Sequence, residues 1–393
     1  MAPEGGGRLR GLAINLSLSA AAVVVVFGAA ELVLRVTGLA PAGALRSPDL
    51  ETLDAIPGIY APGQQLTDRV RPELPSRIRV NSLGFRGREI AEAKAPGTLR
   101  VMVLGDSYTF GDHVNTEEAW PARLEESLTQ RIAGLPVKGA PVRGAEIRME
   151  VTLGEAASAA RRPSSVEVIN AGVNGFGILD EERLWEKAGE RLRPDIVVIT
   201  FSPNDFPDMA RPALMYDQMR SNAGLKSRFL IGPLLRLAQH TAIFNGLQIL
   251  RARMIVAWAR RASHQEEGSA REREDEWTAG WRGAFMRLAA EIKGQGRRVL
   301  LVIYPSYPHV VGAEPLRAGA DLPGWAQEAG VESLDLLPAL QKAAQDGERL
   351  YLVPLDSHPA PAGHRVAAEA VAEKLESLGW LGEPGSEGAE GGR

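Results

Sequence analysis

The run Val101-Met102-Val103-Leu104 stops abruptly at Gly105-Asp106-Ser107. Four apolar residues bounded by a glycine read as a buried strand, and the glycine permits a sharp turn that lifts the serine clear of the sheet edge. Further apolar runs recur along the chain at Leu99 to Leu104, Val166 to Ile169, Asp195 to Phe201, Val299 to Tyr304 and Val331 to Leu334, with helical patterns between them. Such alternation predicts an α/β fold in which a parallel sheet is covered by helices on both faces.

Chemistry in a sheet of that kind gathers beyond the carboxyl ends of its strands. Ser107 follows the first run, Asn170-Ala171-Gly172-Val173-Asn174-Gly175-Phe176-Gly177 follows the second, and Ser202-Pro203-Asn204-Asp205 follows the third. Near the far end, Asp356-Ser357-His358-Pro359 precedes a helix expected over Pro361 to Leu378.

A serine hydroxyl is a weak nucleophile unless a base takes its proton, and the base needs a carboxylate to hold its tautomer. His358 is the candidate base and Asp356 its partner, because residues two apart on an extended segment point to the same side. Acyl transfer also needs donors for the developing oxyanion. The amides of Ser107 and Gly175 and the side-chain NH2 of Asn204 are the candidates; a plain glycine turn and a helix cap are the competing readings of the last two.

Taken in order, Ser107, Gly175, Asn204 and His358, each on its own block, resemble the SGNH hydrolase superfamily, also called GDSL esterases and lipases. The resemblance spans about residues 99–378. It implies a three-layer α/β/α fold with a parallel, flavodoxin-like sheet, a serine nucleophile, a histidine base and an oxyanion hole. It places those roles on Ser107, on His358 with Asp356, and on Ser107, Gly175 and Asn204.

Three departures stand out. Tyr108 replaces the leucine of the commonest first block, read here as a packing change; Ser202-Pro203 precede Asn204 where glycines are frequent; and the acid lies two residues before the histidine, since Leu355 occupies the position three before. The Gly-x-Ser-x-Gly elbow of α/β-hydrolases is missing around Ser107.

Around this body, 393 residues leave room for an anchor and an insertion. From Leu12 to Ala30, 19 residues carry no charge, and as a helix they would span about 28 Å, close to a bilayer core. Arg8 and Arg10 precede them, so the positive-inside rule puts the N-terminus in the cytoplasm and the rest outside. The expectation is a single-pass membrane protein with an extracytoplasmic catalytic domain. A signal peptide cleaved near Gly28-Ala29-Ala30, or a buried soluble helix, are the other readings.

The expected organisation is an anchor over 1–36, a stalk or linker over 37–78, a hydrolase domain over 79–378 with a helical insertion at about 207–295, and a disordered tail over 379–393. The proline-bearing stretch Thr37 to Gln65 reads as irregular. Within the insertion, Ile243, Leu247, Leu250, Met254 and Trp258 follow helical spacing, with Arg251, Arg253, Arg260 and Arg261 off the stripe. That pattern suits a helix packed over the body or an amphipathic element on anionic lipid. His264 to Glu276 reads as a charged connector.

Arg86, in the segment Arg79-Val80-Asn81-Ser82-Leu83-Gly84-Phe85-Arg86-Gly87, either binds an acidic substrate group or braces the sheet. Asp106 is read as fixing the serine turn, and His364 as opening the last helix. No metal-ligand spacing appears and no cofactor is called for. A net charge of −4 gives no nucleic-acid footprint, and zero cysteines exclude a thiol nucleophile and disulfides.

The function expected is an exported, membrane-tethered serine esterase acting on an acylated glycan or small molecule through an acyl-enzyme. An O-acyltransferase using the same residues, and a non-catalytic envelope protein of the same fold, are the alternatives.

Overall fold

The computed structural model describes residues 5–37, 45–68, 73–134, 163–211, 214–228, 231–247, 250, 254, 270–316 and 321–382. Trp258, Arg251, Arg253, Arg260 and Arg261 of the insertion pattern, positions 264–269 of the expected connector and 383–393 of the expected tail lie outside the described residues.

In chain order the helices are α1 (Gly5–Thr37), α2 (Leu50–Ala55), α3 (Ser107–Phe110), α4 (Trp120–Ile132), α5 (Ile178–Leu192), α6 (Asp205–Asp208), α7 (Met215–Lys226), α8 (Ile231–Ala238), α9 (Ala270–Gly294), α10 (Tyr307–Val310), α11 (Leu322–Ala329), α12 (Leu337–Gln345) and α13 (Pro361–Ser377). The strands are β1 (Gln65–Asp68), β2 (Ser76–Arg79), β3 (Thr98–Gly105), β4 (Ser165–Gly172), β5 (Ile196–Phe201), β6 (Arg298–Ile303) and β7 (Glu332–Asp335).

The five apolar runs form one parallel sheet in the order β4-β3-β5-β6-β7. Alternate side chains of each strand enter different layers, as strand geometry requires. Met102 and Leu104 of β3, with Val197 and Ile199 of β5, join a core with Leu184 and Trp185 of α5 and Trp281, Phe285 and Leu288 of α9. Val101 and Val103, with Val198 of β5, join a second core with Trp120 and Leu124 of α4, Leu340 of α12 and Val371 and Leu375 of α13. The result is three layers, α/β/α. Sequence order reverses between β3 and β5, and a doubly wound sheet opens a crevice at that point.

Beside the body, α1 contains one stretch, Arg10–Thr37, of mean hydropathy 2.2 and with none of its most apolar window buried. By length and composition it can cross a membrane.

Two expectations change here. Thr37 to Gln65 is not a free stalk where it is described: Leu53, Ile59 and Tyr60 are buried in the first core, and Gly58 N donates to Leu83 O at 2.8 Å. Proline breaks helices but does not prevent packing, so irregular and unpacked are different properties. The expected connector is helical from Ala270, because Arg and Glu are good helix formers.

Candidate functional site

At the end of β3, a Cβ on Gly105 would lie 2.2 Å from Thr109 Oγ1, so only glycine lets the chain turn this tightly into α3. Asp106 caps that helix: its Oδ1 accepts from Tyr108 N at 2.8 Å, and it is fully buried. Ser107 is the first helical residue, where a backbone N–H has no acceptor inside the helix.

Asp106 also reaches across the switch point. Its Oδ2 accepts from Ser202 Oγ at 2.8 Å and from Asn204 Nδ2 at 3.0 Å, tying the loop after β5 to the serine turn. The second Asn204 amide hydrogen faces Asp208 Oδ2 at 3.3 Å. Burial raises the Asp208 carboxyl to about 6, against the opposing pull of Arg211.

His358 closes the far side. Its Nε2 lies 2.9 Å from Ser107 Oγ, its Nδ1 is hydrogen-bonded to Asp356 Oδ1, and its backbone N–H donates to the same carboxylate oxygen at 2.9 Å. One short turn therefore supplies both the imidazole and the group that orients it. Burial opposes charge on both partners. The shared hydrogen bonds win, holding Asp356 well below the usual carboxylate range and, with the charges of Asp112 and Asp356, raising His358.

Gly175 sits beyond β4 with φ +77°, a conformation that strains any residue bearing a Cβ. Its neighbour Asn174 donates from Nδ2 to Asp112 Oδ1 at 2.7 Å, linking this loop to the one after α3. Ser107, Asp356 and His358 thus touch directly, Asn204 is joined to them through Asp106, and Gly175 lies on the adjoining loop.

Sequence reasoning read one neighbour as packing and passed over two others. Tyr108 is more than packing: its hydroxyl donates to Ser357 O at 3.2 Å and its ring meets the His358 ring edge-on, 5.5 Å between centroids. Asp112 Oδ2 lies 3.7 Å from His358 Nε2, and His113 Nε2 lies 3.6 Å from Asp356 Oδ2. His113 holds φ +62°, unusual for a residue with a side chain. That backbone outlier has no signature in the sequence.

Ligand atoms of Asp112, His113 and His358 lie within 4.8 Å of one another, a grouping of the kind that can hold a metal ion. Linear spacing could not reveal it. Both ring nitrogens of His358 are engaged by Ser107 and Asp356, so an ion there would have to displace the serine.

Arg86 braces the loop that carries these residues. It is buried, and its guanidinium donates from Nη1 to Phe110 O (2.7 Å) and Gly111 O (2.5 Å) and from Nη2 to Val114 O (2.6 Å). Of its two readings the bracing one matches these bonds. His364 is fully buried near the start of α13, where its Nδ1 accepts from Trp120 N at 3.3 Å, and burial lowers it to about 3.

A family model described as SGNH hydrolase-like domain, acetyltransferase AlgX, matches residues 267–390. Among solved structures, a member of the lipolytic protein G-D-S-L family from Veillonella parvula DSM 2008 is 12% identical, covering 70% of this chain and 98% of its own, with a TM-score of 0.38. Axe2, an acetylxylan esterase from Geobacillus stearothermophilus, is 16% identical over 71% of this chain and 94% of its own, with a TM-score of 0.38. TesA is 14% identical over 71% of this chain and 99% of its own, with a TM-score of 0.39. No curated protein matches the chain at a comparable level. With a parallel sheet whose first strand runs into Gly105-Asp106-Ser107, and with its C-terminal part matched by the SGNH hydrolase-like model, the chain has an SGNH/GDSL-hydrolase-like fold at superfamily level.

Proposed function

We propose that the chain is a membrane-tethered serine esterase that cleaves a carboxylic ester through an acyl-enzyme on Ser107. The observation that carries this reading is the 2.9 Å approach of His358 Nε2 to Ser107 Oγ with Asp356 on the opposite ring nitrogen.

In this mechanism Ser107 Oγ attacks the ester carbonyl carbon while its proton passes to His358 Nε2. Asp356 holds the Nδ1–H and stabilises the imidazolium that forms. Negative charge gathers on the carbonyl oxygen, which the amides of Ser107 and Gly175 and the Asn204 side chain receive. For Asn204 this means exchanging its longer bond to Asp208 for the substrate, while the bond to Asp106 keeps the amide aimed. Collapse breaks the ester C–O bond, and the leaving alcohol takes the proton from His358. Water then attacks the acyl-serine, giving its proton to His358, and Ser107 recovers a proton as the carboxylic acid departs.

The acylated substrate is proposed to be an envelope glycan or a related small molecule, in keeping with an anchor whose preceding Arg8 and Arg10 favour a cytoplasmic N-terminus. A second reading, acyl transfer to a sugar hydroxyl in place of water, is favoured by the acetyltransferase description of the matching family model.

Full-length protein in detergent should release p-nitrophenol from p-nitrophenyl acetate. Ser107→Ala and His358→Ala should abolish that turnover, and Asn204→Ala should lower kcat by about 10²- to 10³-fold, the usual effect of losing one oxyanion donor. Turnover equal to wild type in the first two variants rules the mechanism out. With an added glycan, acyl label on the sugar rather than in water selects the transferase reading.

A further inference from the structure

Two elements of the insertion expose apolar side chains that the body does not cover. On α8, Ile231, Leu234 and Leu237 fall within an arc of about 120° at 100° per residue, and further on Leu247, Leu250 and Met254 follow i, i+3, i+7 spacing. Their exposure runs from 42% at Ile231 to 70% at Leu237. Of the stripe read from the sequence, Leu247, Leu250 and Met254 are exposed and Ile243 is half-buried. Large apolar faces left in water mark an interaction surface.

The turn between these elements is fastened to α1. Glu31 accepts from Ala242 N at 2.8 Å and Ile243 N at 3.0 Å, so its carboxylate caps the N-terminus of helix 242–247. Arg35, paired with Glu31 at 2.7 Å, donates to His240 O at 2.9 Å. Glu31 and Arg35 follow the charge-free stretch Leu12 to Ala30 immediately, and a helix rises 1.5 Å per residue. The two contacts therefore lie within about 8 Å of the end of the apolar span. If that span fills the bilayer core, the turn His240-Thr241 sits at the level of the lipid headgroups; the exposed residues of α8 precede it in the chain and Leu247, Leu250 and Met254 follow it.

We propose that α8 and the helix 242–247, with Leu250 and Met254, form a foot that rests in the membrane interface at the exit of α1, with Ile231, Leu234, Leu237, Leu247, Leu250 and Met254 in the outer edge of the acyl layer. The proposal rests on α1 being the membrane span. The occupant is lipid because Glu31 and Arg35 hold the turn between the two exposed faces against α1, next to the end of its apolar span. A spanning helix alone leaves the domain free to rotate about the helix axis; a second attachment removes that freedom. The orientation reaches the site, since α8 packs on α7, and Met215 at the start of α7 lies 3.8 Å from where a Gly175 Cβ would be.

The chain has no cysteine, so single labels are clean. Full-length protein carrying a nitroxide on Leu234→Cys, Leu237→Cys or Leu247→Cys is placed in nanodiscs of zwitterionic lipid at one copy per disc. Collisions with oxygen should exceed those with a water-soluble nickel chelate several-fold at these sites. A label on Gln345→Cys of α12, across the sheet, should show the reverse. A label on Val24→Cys reports the anchor separately. If Val24 is lipid-shielded while the three leucine sites match Gln345, the foot is wrong and the anchor stands; if Val24 is also water-exposed, both fail. Shielding of the leucine sites that appears only when several copies share one vesicle assigns the face to a second copy and overturns the proposal.

Discussion

His358 sets the pH dependence expected of this site. Burial disfavours the imidazolium, but its hydrogen bond to Asp356 and the charges of Asp112 and Asp356 outweigh that penalty and raise its pKa above the ordinary histidine value. The base must be neutral to act, so kcat/KM should climb with pH through a midpoint above that of a free histidine. Asp112→Asn removes one of the charges favouring the imidazolium and should move the midpoint down; a midpoint that rises or stays put in a titration of kcat/KM contradicts the assignment. Stability runs the other way. A raised folded-state value stabilises the fold fully below the unfolded histidine pKa, and that contribution is lost as pH rises through the folded value. On the proposed mechanism, activity should therefore be highest where the raised histidine contributes least to stability.

Among the elements, the loop from Phe110 to Val114 depends most on a single side chain. Three of its carbonyls accept hydrogen bonds from the buried Arg86 guanidinium, which also lies over the Phe110 ring at 4.6 Å. The segment bearing Arg86 reaches the sheet through an antiparallel bridge to Asn170, so the brace links the edge of β4 to the loop that holds Asp112 and His113. Arg86→Met keeps the bulk but removes all three bonds; Phe110 O keeps its bond from Asn170 Nδ2 and Gly111 O its long bond from Val114 N, so Val114 O loses most, and a buried acceptor left unpaired costs about 1–3 kcal/mol. A loss of about 1–3 kcal/mol in urea unfolding is expected. Unchanged stability would mean that water or rearrangement replaces the guanidinium, and the loop is not held as described.

At the scale of the whole molecule, one apolar helix projects from a compact α/β/α body and touches it through Glu31 and Arg35. Its Arg10–Thr37 stretch passes the length and hydropathy test for a span. A membrane fraction washed with alkaline carbonate should retain the full-length protein in the pellet, because a spanning helix is held by the hydrophobic effect rather than by charge. Recovery in the supernatant at a size lacking the first thirty or so residues would favour the signal-peptide reading.

The sequence by itself determined the sheet, since five apolar runs separated by helical patterns leave a buried parallel arrangement as the economical solution, and it marked Ser107, Gly175 and Asn204 after the first three runs and Asp356 and His358 in the loop before the last helix. Local turn chemistry writes such features into neighbouring residues. Tertiary structure alone decided what lies between the blocks: that Asp106 ties Asn204 to the serine turn, that Arg86 braces the loop of Asp112 and His113, and that Thr37 to Gln65 packs where described. The insertion's stripe was legible as a helix face, yet its partner was not, because periodicity records that a face is apolar and not what covers it. Side chains far apart in the chain meet only when packing brings their backbones together, and no spacing rule encodes those distances.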